Sequence, residues 1–114
     1  MYALKNKVQL IGNLGNAPEI KSIESGKKMA RFCIATNENY RNLKGEKVTE
    51  TTWHNLVAWG KVAELAEKFL QKGNEVVIEG KLINRSYTDK DGIKKYISEV
   101  QVNELLLLNS KPQV

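Results

Sequence analysis

Apolar and polar residues alternate along most of the chain, which predicts β-strands separated by turns. The segment Thr51–Gly60 (TTWHNLVAWG) is rich in β-branched and aromatic residues and ends on glycine. Because side chains of a strand alternate between faces, Trp53 and Trp59 should share one face and His54 and Leu56 the other. Each indole could belong to the core. Since the Leu56 face can already supply the core contact, we predict that the tryptophan face looks outward and needs a partner.

The same alternation predicts four further strands: Lys5–Leu14, Lys28–Asn37, Asn74–Thr88 and Lys94–Leu108. Together with Thr51–Gly60 this gives five strands. Gly12 in the first and Gly80 in the fourth predict bulges or bends of the kind that a closing barrel uses. The residues around these strands are interpreted as follows: Glu19–Ser22 as a short extension of the first strand, Glu38–Glu50 as a long, flexible hairpin excursion, and Asp89–Gly92 as a tight turn.

One helix is predicted at Lys61–Lys72, with Gly73 as its cap residue. Its apolar positions have helical spacing and should plug the core: Val62, Leu65, Ala66, Phe69 and Leu70. The order strand, strand, strand, helix, strand, strand predicts an all-β protein. It fits the OB-fold, a five-stranded, partly open Greek-key barrel, with the helix between strands 3 and 4. Periodicity alone would also allow a five-stranded sandwich.

The chain has 114 residues, which is enough for one domain, and we place that domain at 1–108 with a short tail at 109–114. The formal net charge of +5 allows a polyanionic partner. The single cysteine, Cys33, excludes an internal disulfide framework and suits a reducing compartment. There is no signal-peptide pattern and no apolar run long enough for a membrane helix, so the cytoplasm is the expected location and no membrane contact is expected.

Residues for catalysis are scarce. One histidine and one cysteine, far apart in sequence, support neither a Cys/His nucleophile nor a metal site. The glycine-rich segment Gly12–Gly15 lacks the pattern of a phosphate-binding loop. We therefore predict that the protein is not an enzyme and uses no cofactor or metal.

Residues for binding single-stranded nucleic acid are more plentiful. Bases stack on aromatic rings and phosphates bind lysine and arginine. By inferred phase, Trp53 and Trp59 share a face, and Arg85 and Tyr87 share another. The remaining candidates are Tyr40 and Arg41 on the hairpin excursion, and Lys7, Lys21, Lys61 and Lys72. Each lysine alone could equally be a solvated surface charge. Only its occurrence together with the aromatic residues makes it a candidate for phosphate binding.

Several motifs in order carry a resemblance to the bacterial-type single-stranded DNA-binding proteins, from Asn6 to about Leu106. They are NKVQLIGNLG (Asn6–Gly15), ATNENYR (Ala35–Arg41), WHNLVAWGK within Thr51–Glu64, VVIEGKL (Val76–Leu82) and RSYTD (Arg85–Asp89). The resemblance implies an OB-fold that assembles into a homotetramer and wraps single-stranded DNA without strong sequence preference during replication, recombination and repair.

The resemblance also assigns roles. Tyr40, Trp53, Trp59 and Tyr87 stand where family aromatics stack on bases, and His54 where a family histidine lies at the subunit interface. Asn55 replaces a frequent basic residue, which weakens the case for one phosphate contact. The family usually continues into an acidic tip that recruits replication and repair proteins. This sequence ends at Val114, so we do not expect recruitment of those partners through such a tip.

Two other functions stay open on the sequence. One is a tail-less primosomal or RNA-binding OB module. The relative affinity for DNA and RNA strands would distinguish it from a single-stranded DNA-binding protein. The other is a subunit whose aromatic face docks a protein. In that case Trp53→Ala would abolish partner binding and leave nucleic-acid binding unchanged.

Overall fold

The computed structural model describes residues 2–23 and 26–108, and the predicted tail at 109–114 lies outside them. After a single 3-10 turn at Tyr2–Lys5, the elements are β1 (Val8–Leu14), β2 (Glu19–Ser22), β3 (Lys28–Arg41), β4 (Lys47–Trp59), α1 (Gly60–Phe69), β5 (Glu75–Thr88) and β6 (Lys94–Leu107). In this part of the chain no helix is long and apolar enough to cross a membrane.

The strands form one sheet in the order β1-β5-β6-β4-β3-β2, and β1 also pairs with β3. The β1–β3 pairing joins Asn13 to Ala35 and Leu14 to Ile34, so the sheet closes into a barrel. Residues 15–18 interrupt the strand, and β2 then pairs with β3, as the end of β1 does. β2 is therefore the expected extension of β1. The result is a five-stranded closed barrel with one helix between its third and fourth strands. The OB-fold prediction is confirmed.

The barrel interior is filled by the inward-facing residues of the strands. The largest of the fully buried side chains are Ile34, Leu56, Ile78 and Val76. They come from β3, β4 and β5, at the alternate positions that the sequence pattern predicted. The opposite faces of the same strands are therefore available for other contacts.

The two strand glycines act differently. At Gly80 the β5–β6 register shifts, and Asn103 is the extra residue on β6. This bulge returns Leu105 and Leu107 to the core side, where both pack against the buried cluster. At Gly12 the β1–β5 register is continuous, so of the two predicted alternatives, a bulge or a bend, the bulge is wrong there. Gly12 is instead a close approach, since a Cβ atom would collide with the carbonyl oxygen of Ala35 on β3.

The helix prediction needs two corrections. The helix ends at Phe69 with Leu70 as its C-cap residue, so Gly73 is not the cap. Its buried residues are Ala63 and Ala66, followed by Leu70. The small alanines let the helix backbone approach the barrel closely, which rotates the buried face away from the longer side chains. The predicted core stripe is therefore wrong at Leu65 and Phe69, which are exposed.

The predicted hairpin excursion, Glu38–Glu50, is an ordered ladder rather than a long loop. β3 and β4 pair without interruption from Met29 opposite Trp59 to Arg41 opposite Lys47. Cross-strand hydrogen bonds from threonine hydroxyls to asparagine side chains support this ladder: Thr49 to Asn39 and Thr51 to Asn37, both 2.7 Å. The segment is polar because the hairpin extends beyond the core and both of its faces meet solvent.

Candidate nucleic-acid interface

Strand β4 presents two indoles on the outside of the barrel. Trp53 is 60% exposed and Trp59 is 38% exposed, while Leu56 and Ala58 on the other face are buried. The predicted alternation is therefore correct. Two flat, solvent-accessible rings on one face of a strand form a surface on which planar groups can stack.

The position of the Trp53 ring depends on Gly15. A Cβ atom added at Gly15 would overlap the Trp53 ring, so the indole lies directly against the glycine backbone. The Gly15 N–H is in turn fixed by a hydrogen bond of 3.0 Å to the carbonyl of Cys33. The absence of a side chain at Gly15, in the loop after β1, thus leaves room for the indole, most of which stays exposed.

Strand β5 adds Arg85 and Tyr87 to the same outer surface. Leu56 of β4 and Leu82 of β5 both pair with Val100 of β6 in register, and Leu56 faces the core. Residues at odd positions beyond Leu82 on β5 therefore point outward, and the Tyr87 ring is exposed. The sequence predicted one face with Trp53 and Trp59 and another with Arg85 and Tyr87. In the structure the two pairs lie on the same face.

Lys21 also lies on this face. It is in register with Met29 on β3, and Met29 is in register with Trp59 on β4. Lys21 is exposed at the edge of the face. It is the predicted lysine whose register links it most directly to a tryptophan.

At the centre of the face two arginines share one buried carboxylate. Arg31 Nη1 lies 3.0 Å from Glu99 Oε2, and Arg85 Nε lies 2.9 Å from Glu99 Oε1. The Glu99 side chain is only 5% exposed, whereas those of Arg31 and Arg85 are 35% and 40% exposed. Each carboxylate oxygen thus accepts a charge-assisted hydrogen bond from a guanidinium that still reaches solvent.

Tyr40 lies on the other face of the β3–β4 hairpin. The ladder has no register shift between Ala35, opposite Trp53, and Tyr40, opposite Val48. The five-residue step places Tyr40 and Trp53 on opposite sides of the ribbon. The Tyr40 hydroxyl donates a 2.9 Å hydrogen bond to Glu50, and this bond raises the pKa of the phenol. Tyr40 is therefore not on the face of the tryptophans, and its role in nucleic-acid binding stays a prediction.

The other predicted cations are dispersed. Arg41 is at the hairpin end, where its Nη1 donates to the carbonyl of Gly45 at 2.9 Å. Lys7 forms an ion pair of 2.9 Å with Glu79, whose hydrogen bond raises the pKa of the lysine. Lys61 is exposed in the first turn of α1, and Lys72 is exposed in the segment that follows the helix. None of these contacts tests a role in nucleic-acid binding, which stays a prediction for each.

His54 lies on the face of β4 opposite the tryptophans, as predicted. It is half-buried, and its Nε2 is 2.9 Å from the hydroxyl of Thr36 on the neighbouring strand. Its proposed place at a subunit interface stays a prediction.

Sequence reasoning missed Arg31, Glu99 and Tyr96. Arg31 and Glu99 are 68 residues apart, and no local pattern predicts that they meet. Tyr96 is exposed, and the Lys94 ammonium is 5.6 Å from its ring centroid. Its pairing with Ser86 puts Tyr96 on the face of the β5–β6 hairpin opposite Tyr87.

In residues 2–23 and 26–108 there is no group of three or more His, Cys, Asp or Glu that could hold a metal ion.

An OB-fold barrel with exposed indoles beside guanidinium groups is typical of proteins that bind single strands of nucleic acid. Comparison with known sequences agrees with this class. The model of the single-strand binding protein family matches residues 5–108. The chain therefore belongs to the single-strand binding protein family.

Individual relatives are similar over most of the chain. Single-stranded DNA-binding protein 1 of Chlorobaculum tepidum is 43% identical over 107 residues, and the single-stranded DNA-binding protein of Neisseria meningitidis serogroup A is 38% identical over 106 residues. Each alignment covers 93% of this chain, which spans 66% and 61% of the length of these relatives.

A solved structure gives the same fold. The chain in the structure described as Plasmodium falciparum SSB complex with ssDNA superposes with a TM-score of 0.85 and 34% sequence identity. The match covers 91% of this chain and 95% of that one.

Proposed function

We propose that this protein binds single-stranded DNA on the outer face of β4 and β5, with little preference for base sequence. The observation that carries the proposal is the pair of solvated indoles, Trp53 and Trp59, beside the Arg31 and Arg85 guanidiniums. Unpaired bases have flat faces that stack on such rings, and this stacking is nearly independent of base identity. The choice of ligand is supported by the similarity to proteins that are named single-stranded DNA-binding proteins.

The proposed role is binding rather than catalysis. Coating single strands would serve replication, recombination and repair in the cytoplasm, as the family resemblance implies. The face offers stacking rings and cations, which need no reaction step to hold a DNA strand.

We also propose that the protein associates with itself through the outer face of β1, β5 and β6. Ile11 of β1 and Leu106 of β6 are exposed there, both in register with Val77 of β5. β1 pairs with β3 only at its end, so among the described residues no strand pairs with the other edge of Val8–Gly12, and a second chain could pair there. An apolar patch beside an open strand edge supports the homotetramer implied by the resemblance.

Titration of the intrinsic indole fluorescence with oligo-dT at low salt tests the main proposal. Strong quenching is expected, since both tryptophans of the chain lie on the proposed face. Oligo-dT should bind more tightly than the matching RNA strand, and duplex DNA should compete poorly. Absence of quenching, or a stronger response to RNA or to duplex DNA, would contradict the proposal.

A further inference from the structure

We propose that Arg31 and Arg85, held together by Glu99, form a two-guanidinium site for one phosphodiester group of the bound strand. The inference rests on the proposed function and assigns a ligand group to two residues, Arg31 and Glu99, that have no assigned role. It also makes Glu99 a positioning residue, since Glu99 acts on the phosphate only through the arginines.

The geometry leaves donors free on both arginines. A guanidinium has five N–H donors, and the bonds to Glu99 use Nη1 of Arg31 and Nε of Arg85. More than a third of each arginine side chain remains exposed. Both can therefore bond the carboxylate and a phosphate oxygen at the same time, which the single ammonium of a lysine does less well.

The position of Arg31 is also unusual for a surface residue. Arg31 is in register with Val57 on β4, and its guanidinium bonds to Glu99 on β6, the next strand beyond β4. The side chain therefore crosses β4, which explains why Val57 is buried although it shares the outward phase of Trp59. Glu19 is opposite Arg31 on β2, yet the ion pair of Arg31 in the structure is with Glu99.

The exposed guanidinium donors favour an anion. The three ion-paired side chains carry a net charge of +1 and their negative charge is the buried one, while the Glu19 carboxylate lines the same pocket. The site lies between the tryptophans of β4 and Tyr87 of β5, where a strand stacked on both would pass its backbone. Fixing both side chains on Glu99 before binding reduces the conformational entropy lost when the phosphate arrives.

The test is an oligo-dT titration of wild type, Arg31→Met, Arg31→Lys and the control Lys68→Met, each at several salt concentrations. Lys68 is an exposed helix residue. Arg31→Met should bind about tenfold more weakly, since a charge-assisted contact is lost. Its salt slope should fall by about 0.7, the value for one phosphate contact on a single strand. Arg31→Lys should keep the slope and lose several-fold in affinity, and Lys68→Met should match wild type.

The outcomes separate the two proposals. If wild type itself does not bind oligo-dT, the proposed function fails and this inference fails with it. If wild type binds and Arg31→Met matches it, or loses affinity with an unchanged salt slope, only the phosphate site is overturned. Should Arg31→Met fail to fold by circular dichroism, Arg31→Lys decides: wild-type affinity in that variant would overturn the site.

Discussion

Trp53 is the residue on which the proposed interface depends most. Its ring lies directly against the Gly15 backbone, and more than half of the side chain is exposed. Trp53→Ala should weaken oligo-dT binding by about 1–3 kcal/mol, the cost of losing one base-stacking surface. Because the side chain is exposed, the thermal midpoint should change little. Fluorescence anisotropy of a labelled oligo-dT measures the affinity.

The matched control is Phe69→Ala on helix α1. Phe69 is 56% exposed, nearly as much as Trp53, but belongs to a different element. Its removal should leave oligo-dT affinity unchanged. Equal losses in the two variants would show that any exposed ring serves, and would contradict a site confined to the outer face of β4 and β5.

Tyr40 provides a pH-dependent check of the hairpin geometry. The hydrogen bond to Glu50 raises the pKa of Tyr40 above its ordinary value of 10.0. A raised pKa in the folded state means that this contact stabilises the fold fully below about pH 10 and that its contribution is lost as pH rises through the folded-state pKa. Glu50→Ala should lower the pKa of Tyr40, measured by tyrosinate absorbance with Tyr40→Phe to assign the signal. An unchanged titration would contradict the Tyr40–Glu50 contact.

At the scale of the element, helix α1 is where the structure differs from the prediction made from the sequence pattern. Helical spacing correctly predicted Ala66 in the core, but it also predicted Leu65 and Phe69, which are exposed, and it missed the buried Ala63. Spacing defines a stripe of apolar residues, while the distance between the helix and the barrel decides which edge of that stripe is buried. That distance depends on the packing of the folded protein and cannot be predicted from the spacing.

Two substitutions in the helix test this correction. Ala66→Leu should destabilise the protein by about 1–3 kcal/mol, because a larger side chain would be forced into a filled contact with the barrel. Leu65→Ala should change stability by less than about 0.5 kcal/mol, since Leu65 is exposed. Chemical denaturation measures both. A large loss for Leu65→Ala would contradict the exposure of Leu65 and restore its place in the predicted core. A small loss for Ala66→Leu would contradict the tight packing of Ala66 against the barrel.

The strands were more predictable than the helix. Alternation correctly placed Leu56 inward and Trp53 outward, because a strand has only two faces and one of them must be the core. Alternation could not show that Arg31 crosses β4 to reach Glu99, since that contact depends on strand order. It also missed the uninterrupted β3–β4 ladder, whose polar sequence resembles a loop because neither face of it is covered.

At the scale of the whole molecule, the barrel has two outer faces of different character. One carries Trp53, Trp59 and the Arg31–Glu99–Arg85 group, and the other carries Ile11 and Leu106 beside the Lys7–Glu79 ion pair. Nucleic acid suits the first, because it combines rings and cations. A second copy of the chain suits the apolar patch of the other, because burial of apolar surface drives association.

Self-association makes a separate prediction. Ile11→Glu should lower the molar mass in solution below that of wild type, because an assembled interface would bury an unpaired carboxylate. Light scattering measures the mass, and Leu65→Glu, at an exposed apolar position on α1, should leave it unchanged. An unchanged mass for Ile11→Glu, or a wild type that is already a single chain, would contradict this interface.

The most direct test of the central claim is to map where the strand lies. An iodouracil-substituted DNA single strand, photocrosslinked to the protein and analysed by mass spectrometry, should attach at Trp53, Trp59 or Tyr87, the exposed rings of the outer β4–β5 face. Crosslinks confined to Phe69 on the helix, or to the face of Ile11 and Leu106, would contradict the account.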